Sequence, residues 1–502
     1  MTTLAQIWPD QSLVVGWKNT EFKGFCLDSR KVQPGQIFIA LQGINNDLEK
    51  TQVYMQQALQ LGAIGVLTEI EDALNTKDNI LYVANLRPIL GALQQRFLQA
   101  QSPQILARTV AVTGTNGKTT VSRLIAEILT LLQQPTAVMG TTGNGILPNL
   151  EASTHTTLDA LQFQQMHYQF SQQGAKFLSL EASSHGIDQG RIAGTDIEVA
   201  AYTNLSRDHL DYHKTLDNYA KAKARLFDFT SLKHVVINVD DAHAALMIEH
   251  AQHNPSQPKI WRYSIENMHA EYVISALNFS LQGAQFRLHT PTGEYSIHSP
   301  LLGRFNVENL LAAIISVEKL GFALNAIAPL IPQLHGAPGR MQTITDQNRL
   351  FIVDYAHTPD ALQQVLQGLR HHVEAELWAV FGCGGDRDRG KRPQMTQAAL
   401  TTADHIILTS DNPRSENPEQ IFADMKTGLD FAGHQVQEIH DRREAIKAAV
   451  TQAKAGDIVV IAGKGHENYQ EIDGVRHWFD DVIEVQAALN GQHHQPDQAY
   501  LA

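Results

Sequence analysis

Thr109-Val-Ala-Val-Thr-Gly-Thr-Asn-Gly-Lys-Thr-Thr120 sets the fold class of this 502-residue chain. Residues 109–113 form a short apolar run rich in β-branched side chains, which predicts a buried strand. Gly114-Thr-Asn-Gly117 follows as a turn, and an apolar-periodic helix is expected from about Thr119 to Leu132. Glycines let such a turn curl so that backbone N–H groups face phosphate oxygens. The helix behind adds the positive end of its dipole. In this arrangement Lys118 reaches the β/γ-phosphates of a nucleotide and the Thr119 hydroxyl can meet Mg²⁺. A P-loop in the G-x-x-x-x-G-K-[ST] register would have its first glycine at Val112, so this loop is shortened. An ordinary tight turn is the bland alternative, and the strand–turn–helix setting of Gly-Lys-Thr argues against it. An ATPase or GTPase switch stays compatible with the loop alone.

On both sides of this segment the chain alternates strand-like and helix-like stretches. Toward the N-terminus, Gln36–Leu41 and Ile64–Leu67 read as strands and Thr51–Leu61 as a helix. Gln101–Gln104 reads as a linker. Downstream, strands are expected at Phe177–Leu180, Val199–Tyr202 and Val235–Asn238, then at Leu350–Val353, Leu377–Phe381, His405–Leu408 and Asp457–Ile461. The alternation predicts α/β architecture with a largely parallel sheet. At roughly 150 residues per domain the length suits about three domains: 1–106, 107–336 and 337–502. Each of the last four strands runs into a polar or glycine-rich loop, 354–359, 382–387, 411–414 and 463–467. Ligands of open α/β sheets bind beyond the carboxyl ends of the strands, so these loops suggest one composite site.

Composition excludes several classes. With 39 basic and 52 acidic residues the formal charge is −13, a field that repels nucleic-acid backbones. Cys26 and Cys383 are too few and too far apart for a disulfide framework, and a reducing compartment fits. No run approaches the roughly 18 apolar residues of a membrane span, and Met1–Asp10 does not read as a signal peptide. A cytoplasmic protein is expected.

Three further residues bear on chemistry. Glu181 closes the strand at 177–180 and is placed as a Mg²⁺ ligand. Asp208 and His209 fall in the loop after the next strand. As single residues these read as caps or turn formers just as well. On a helix, Lys223 shares its face with Tyr219, Ala220, Leu226 and Phe227, while Lys221 points elsewhere. A lysine on an apolar face either snorkels to water or sits buried with a lowered pKa. A buried neutral amine can take up CO₂, and the resulting carbamate could hold a metal ion.

Taken in order, the motifs resemble those of the Mur ligases of peptidoglycan synthesis. They are Asp28-Ser-Arg30, GTNGKTT at 114–120, EASSHG at 181–186, TNLSRDHLDYH at 203–213, the Lys223 segment, GRFNVEN at 303–309, Gly339-Arg340, DYAHTPD at 354–360, GCGGDRDRGKRP at 382–393, DNPR at 411–414 and GKGHE at 463–467. The likeness covers nearly the whole chain. It implies a central P-loop-type domain of mostly parallel sheet, between a smaller N-terminal α/β domain that binds UDP and a C-terminal Rossmann-like α/β domain that binds the incoming amino acid.

By the same resemblance, ATP meets Gly114, Thr115, Asn116, Gly117, Lys118, Thr119, Thr120, Asn306, Arg340 and Asp354. The UDP-sugar peptide meets Leu27, Ser29, Thr156, Thr157, Ser183, Gln189 and Arg191. The amino acid meets Arg387, Asp411, Asn412, Pro413, Arg414, Gly463 and Glu467. Lys118, Glu181, His209 and Lys223 carry the catalysis. Two Mg²⁺ ions are expected near Thr119, Glu181, His209 and Lys223, the last as its N6-carboxy form.

The implied reaction is ATP-dependent addition of meso-2,6-diaminopimelate to UDP-N-acetylmuramoyl-L-alanyl-D-glutamate through an acyl phosphate, by a monomer, in cell-wall synthesis. Asp-Asn-Pro-Arg414 resembles the version of the loop that accepts diaminopimelate, because an arginine fork suits a second carboxylate. A lysine-adding ligase and a folylpolyglutamate-synthase-like ligase are the near alternatives, and an ATP-hydrolysing switch or binding protein the distant one. The chain departs from the family pattern at Ile44-Asn45-Asn46 and at His155, where an asparagine is usual.

Overall fold

The computed structural model describes residues 2–8, 19–43, 48–71, 79–153 and 155–491. The departure at Ile44–Asn46 lies outside them. The chain divides into two compact units, residues 1–263 with 315–322, and residues 264–314 with 323–502.

The first unit holds a short ribbon, Thr2–Thr3 paired antiparallel with Glu21–Phe22, and two larger sheets. Phe25–Cys26, Ile37–Ala40, Gly65–Thr68 and Ile80–Tyr82 form a parallel four-stranded sheet in that order, with helix Leu48–Gln60 between its second and third strands and helix Leu86–Gln101 after its last. The second sheet is built around Arg108–Thr113. Its neighbours are Phe177–Glu181 on one side and Ile197–Tyr202 on the other, both parallel to it. Thr136–Gly140 and His234–Asn238 extend it in parallel, and Gly143–Ile146 closes one edge antiparallel. The strand Arg108–Thr113 is buried beyond its first residue, as expected of a strand covered on both faces. Its successor in the chain lies on the opposite side from Ile197–Tyr202, so the sheet order reverses at this strand and opens a crevice at its carboxyl end. Gln101, which the sequence reading put in a linker, ends the helix, and residues 102–107 between helix and strand are irregular.

In the second unit, Tyr272–Ser280, Gly283–Thr290 and Gly293–Ser299 make an antiparallel meander that the sequence reading did not identify. A six-stranded sheet runs Gln342–Asp346, Arg349–Asp354, Ile458–Ala462, Leu377–Phe381, His405–Leu408, Gln435–Glu438. All but the first strand are parallel, so the four polar loops leave the same edge. The hairpin Tyr469–Ile472 and Val475–Trp478 follows the last of them. Among the described residues no helix is long and apolar enough to cross a membrane.

Candidate functional site

At the carboxyl end of Arg108–Thr113 the loop 114–117 enters helix Lys118–Leu131. Gly117 stands at φ 88°, a left-handed geometry that favours glycine. A Cβ on Gly114 would lie 1.9 Å from Thr203 Oγ1. The loop is pinned from the neighbouring strand end. Thr203 Oγ1 donates to Asn116 O at 2.6 Å, the Asn116 amide donates to Asn204 Oδ1 at 3.0 Å, and the Thr115 amide donates to Asn204 O at 2.8 Å. Lys118 Nζ donates to the carbonyls of Gly114 and Thr115, both at 2.9 Å.

Glu181, at the end of the adjacent strand, is 1% exposed. Its carboxylate accepts from Thr119 Oγ1 at 2.9 Å and from the Thr141 amide at 2.8 Å, with Thr141 Oγ1 at 3.1 Å. Thr141 Oγ1 is also 3.1 Å from Thr156 Oγ1. Gly140 makes room for this carboxylate, since a Cβ there would stand 2.1 Å from Glu181 Oε1. Gly140 and Thr141 were not identified from the sequence, although a strand ending in Met139-Gly-Thr-Thr142 carries the same glycine-then-hydroxyl signal as the phosphate loop.

Lys223 lies on helix Leu216–Ala224, capped by Thr215. The α-helix stops at Ala224, and Arg225–Asp228 continues as a 3₁₀ turn. The expected face is kept, because Tyr219, Ala220, Leu226 and Phe227 are all 0–1% exposed. Lys223 itself is 1% exposed and does not snorkel. Its Nζ donates to Gly114 O at 2.6 Å and lies 4.4 Å from the centre of the Tyr219 ring. Burial pushes its pKa well below the ordinary lysine value, the Lys118 charge adds to this, and Asp208 opposes it. Lys221, by contrast, pairs with Asp217 at 2.7 Å in solvent.

His209 adopts φ 52° ahead of helix Leu210–His213, with Nε2 3.4 Å from Asp208 Oδ2. Its ring is 4.9 Å from that of His185 and 6.0 Å from that of Tyr219. Burial lowers the His209 pKa and holds that of His185 at about 4. Thr119 and Glu181 are hard oxygen donors beside a phosphate loop, which fits Mg²⁺, an ion that keeps waters and phosphate oxygens as its other ligands. Among the described residues no group of three or more His, Cys, Asp or Glu side chains forms a metal cage.

The residues expected to hold the UDP-sugar peptide divide. Leu27, Gln189 and Arg191 line a cavity of about 250 Å³ together with Leu41, Leu90, Arg87 and His155. The lining combines three leucines with two arginines and Asp159. Arg191 donates to Thr157 O at 2.8 Å and to Gln189 Oε1 at 2.8 Å. Ser183 caps helix Ser184–Asp188, and its amide donates to Thr157 Oγ1 at 3.1 Å. Thr157 Oγ1 donates to Glu181 O at 2.7 Å. The Ser29 hydroxyl donates to Gln57 Oε1 at 2.8 Å. Arg87 was not identified from the sequence.

In the second unit, the Asp354 carboxylate accepts from the amides of Met341 and Ala356, both at 2.8 Å. Burial raises its pKa, with Arg340 opposing. Arg340 lies over the Tyr355 ring at 4.5 Å, and its buried Nε has no hydrogen-bond partner among the described residues. Asn306 is buried, donating to Leu302 O at 2.8 Å and accepting from Asn309.

The four loops do meet. Asn412 Nδ2 donates to Glu467 Oε2 at 2.9 Å, and the fully buried Lys464 donates to Asn412 Oδ1 at 3.1 Å. The Gly385 amide donates to Asn412 O at 2.9 Å, Arg414 Nη1 donates to Gly385 O at 2.8 Å, and the Gly463 amide donates to Asp354 O at 3.0 Å. A Cβ on Gly463 would stand 3.1 Å from Asp411 Oδ2, and Asp411 Oδ1 is buried with no hydrogen-bond partner among the described residues. Pro413 is buried, and Arg387 is exposed with its Cγ close to Gly384. Burial raises the Glu467 pKa, and Lys464 opposes it. Lys464 is a further residue that sequence reasoning passed over.

A phosphate loop with a Thr–carboxylate pair beside it, and a buried amine on the loop's own carbonyl, define a nucleotide-dependent enzyme rather than a binding scaffold. The sequence pattern of the Mur ligase middle domain matches residues 112–317, and that of the Mur ligase, glutamate ligase domain matches residues 339–465. The UDP-N-acetylmuramoyl-L-alanyl-D-glutamate–2,6-diaminopimelate ligase of Ectopseudomonas mendocina is 44% identical over 92% of this chain and 94% of its own. A solved structure of a ligase with the same name is 60% identical, with a TM-score of 0.78, over 98% of this chain and all of that one. Folylpolyglutamate synthase of Mycobacterium tuberculosis, in complex with ADP, is 18% identical with a TM-score of 0.60 over 75% of this chain and 92% of its own, and shares the fold. The chain belongs to the Mur ligase family, whose members are ATP-dependent ligases.

Proposed function

We propose that this ligase joins meso-2,6-diaminopimelate to UDP-N-acetylmuramoyl-L-alanyl-D-glutamate, as the named relatives do, acting as a cytoplasmic monomer with domains 1–106, 107–336 and 337–502. The observation that carries the reading is Lys223, a wholly buried amine whose Nζ lies 2.6 Å from the carbonyl of Gly114 in the phosphate loop. A hydrolytic switch has no use for a neutral amine there. A ligase that must bring a carboxylate to a triphosphate does, because CO₂ converts that amine to an anion able to help hold a metal ion.

The roles are those that the family resemblance implies. The loop amides and Lys118 hold the phosphates, and Thr119 with Glu181 stands where Mg²⁺ would be held, with His209 and the carboxylated Lys223 as donors for a second ion. Such ions supply charge neutralisation between two anions, the main obstacle to in-line phosphoryl transfer. Asn306, Arg340 and Asp354 serve ATP. The cavity lined by Leu27, Gln189 and Arg191 takes the nucleotide-sugar, with Ser29, Thr156, Thr157 and Ser183 along the same substrate. The γ-phosphoryl passes to the substrate carboxylate, ADP leaves, the acceptor amine attacks the acyl phosphate, and phosphate departs as the amide forms. The amine is supplied from Arg387, Asp411, Asn412, Pro413, Arg414, Gly463 and Glu467.

The test is phosphate release with the purified dipeptide substrate and either meso-diaminopimelate or L-lysine. A lysine preference would overturn the acceptor assignment. Phosphate release independent of any amine would overturn the ligase assignment. Activity lost in Lys223→Ala and not recovered by added short-chain carboxylates would overturn the carbamate.

A further inference from the structure

The hairpin 469–478 grips the loop 411–414 at almost every residue. Gln470 Nε2 donates to Asp411 O at 2.7 Å, and the Glu471 amide donates to Asn412 Oδ1 at 2.9 Å. The Arg414 amide donates to Glu471 O at 2.9 Å, and the Asp473 amide donates to Arg414 O at 2.7 Å. Arg414 is held between these two bonds at φ 52°, a left-handed conformation that is uncommon for a long side chain. The hairpin turns at Asp473-Gly474, at φ 49° and 77°, the geometry of a tight two-residue connection. Because Lys464 Nζ and the Glu471 amide both donate to Asn412 Oδ1, the Asn412 amide must point its NH₂ at Glu467.

Glu471 acts a third time, through its side chain. Its Oε2 lies 3.8 Å from Arg414 Nε, and both side chains are about a quarter exposed, at 24% and 22%. Arg414 Nη1 is bonded to Gly385 O. A guanidinium can take a carboxylate side-on, through Nε and one Nη, or end-on, through both Nη groups. With Glu471 beside Nε and Gly385 O on one Nη1 hydrogen, Nη2 and the second Nη1 hydrogen are the donors left to an incoming anion.

We propose that Glu471 is a specificity-determining positioning residue: its carboxylate, paired beside Nε, orients the Arg414 guanidinium so that the remaining Nη hydrogens receive the distal carboxylate of the amino-acid substrate. This rests on the assignment of that substrate above. Glu471 does not touch the reacting atoms. It acts by pre-orienting a long side chain that would otherwise have to be ordered by the ligand.

A double-mutant cycle with Glu471→Gln and Arg414→Ala tests it, read as kcat/KM for meso-diaminopimelate in phosphate release at subsaturating amino acid. Glutamine keeps the shape and both backbone bonds, so the fold is preserved. The expected result is a drop of about five- to tenfold in Glu471→Gln, carried by KM for diaminopimelate, with KM for ATP and for the UDP-dipeptide unchanged. In the Arg414→Ala background Glu471→Gln should have no further effect. No effect of the single substitution, equal effects in both backgrounds, or a rise in all three KM values would each overturn the proposal. A wild-type preference for L-lysine would instead remove the substrate assignment on which it rests, and that is read before any variant is made.

Discussion

Replacing Gly140 by alanine would place a methyl group against the Glu181 carboxylate. The added Cβ would stand 2.1 Å from Oε1, 2.6 Å from Cδ and 2.7 Å from Cγ of a side chain that is 1% exposed. Contacts this short must be relieved by moving the carboxylate, which is held by Thr119 Oγ1 and the Thr141 amide at 2.9 and 2.8 Å. Hydrogen bonds to a charged group contribute about 1.5–3 kcal/mol each. Loss of one, with some overpacking, gives an expected destabilisation of about 2–4 kcal/mol. A carboxylate displaced by about 1 Å at a phosphoryl-transfer site is expected to lower kcat about 100-fold. Denaturant unfolding and amine-dependent phosphate release measure the two effects. Glu181→Ala supplies the control: with no side chain beyond Cβ, the stability cost of Gly140→Ala should vanish in that background. A Gly140→Ala enzyme with wild-type stability and turnover, or a cost that persists in the Glu181→Ala background, would refute the packing argument.

Lys223→Met should keep or raise stability, because it removes a buried amine and replaces it with an apolar chain of similar length, while kcat falls at least about 100-fold; a thermal melt and a turnover assay on the same sample check both halves. Arg414→Lys keeps the charge but loses the planar fork, so KM for meso-diaminopimelate should rise about tenfold with KM for ATP unchanged. Acid should weaken the second unit through Glu416, whose carboxyl is held at about 2 by the buried Arg392, against an ordinary value of 4.5. The folded pKa is the lower one, so this stabilisation is complete above the ordinary value and is lost as pH falls from about 4.5 through about 2. Glu416→Gln should flatten the urea midpoint across that window, and an unchanged slope would count against the pairing.

Strand-to-loop order was legible because parallel strands buried on both faces are nearly continuous apolar runs. That is why Arg108–Thr113, Phe177–Glu181, Leu377–Phe381 and His405–Leu408 fall within a residue of their expected limits. The Lys223 face was legible because helical period is local. The antiparallel strands between Tyr272 and Ser299 were not: Gly283–Thr290 and Gly293–Ser299 are half-buried with polar residues interspersed, and the apolar opening Tyr272-Val-Ile274 is too short to separate a strand from a helix by period.

Which residue types stand at which strand ends could be read directly from the chain: Gly114–Thr120 after one strand, Glu181 after another, and four polar loops along one edge of a third sheet. Whom those side chains address was settled by packing alone. Parallel crossovers bring Thr141 to Glu181 across 40 residues and Lys223 to Gly114 across 109. Packing also set the orientation of groups whose chemistry was already evident, turning the Ser29 hydroxyl toward Gln57 and placing Glu471 beside Arg414. A local pattern fixes period and turn, whereas the partner of a polar side chain is chosen by which distant backbone the sheet order places within about 3 Å of it.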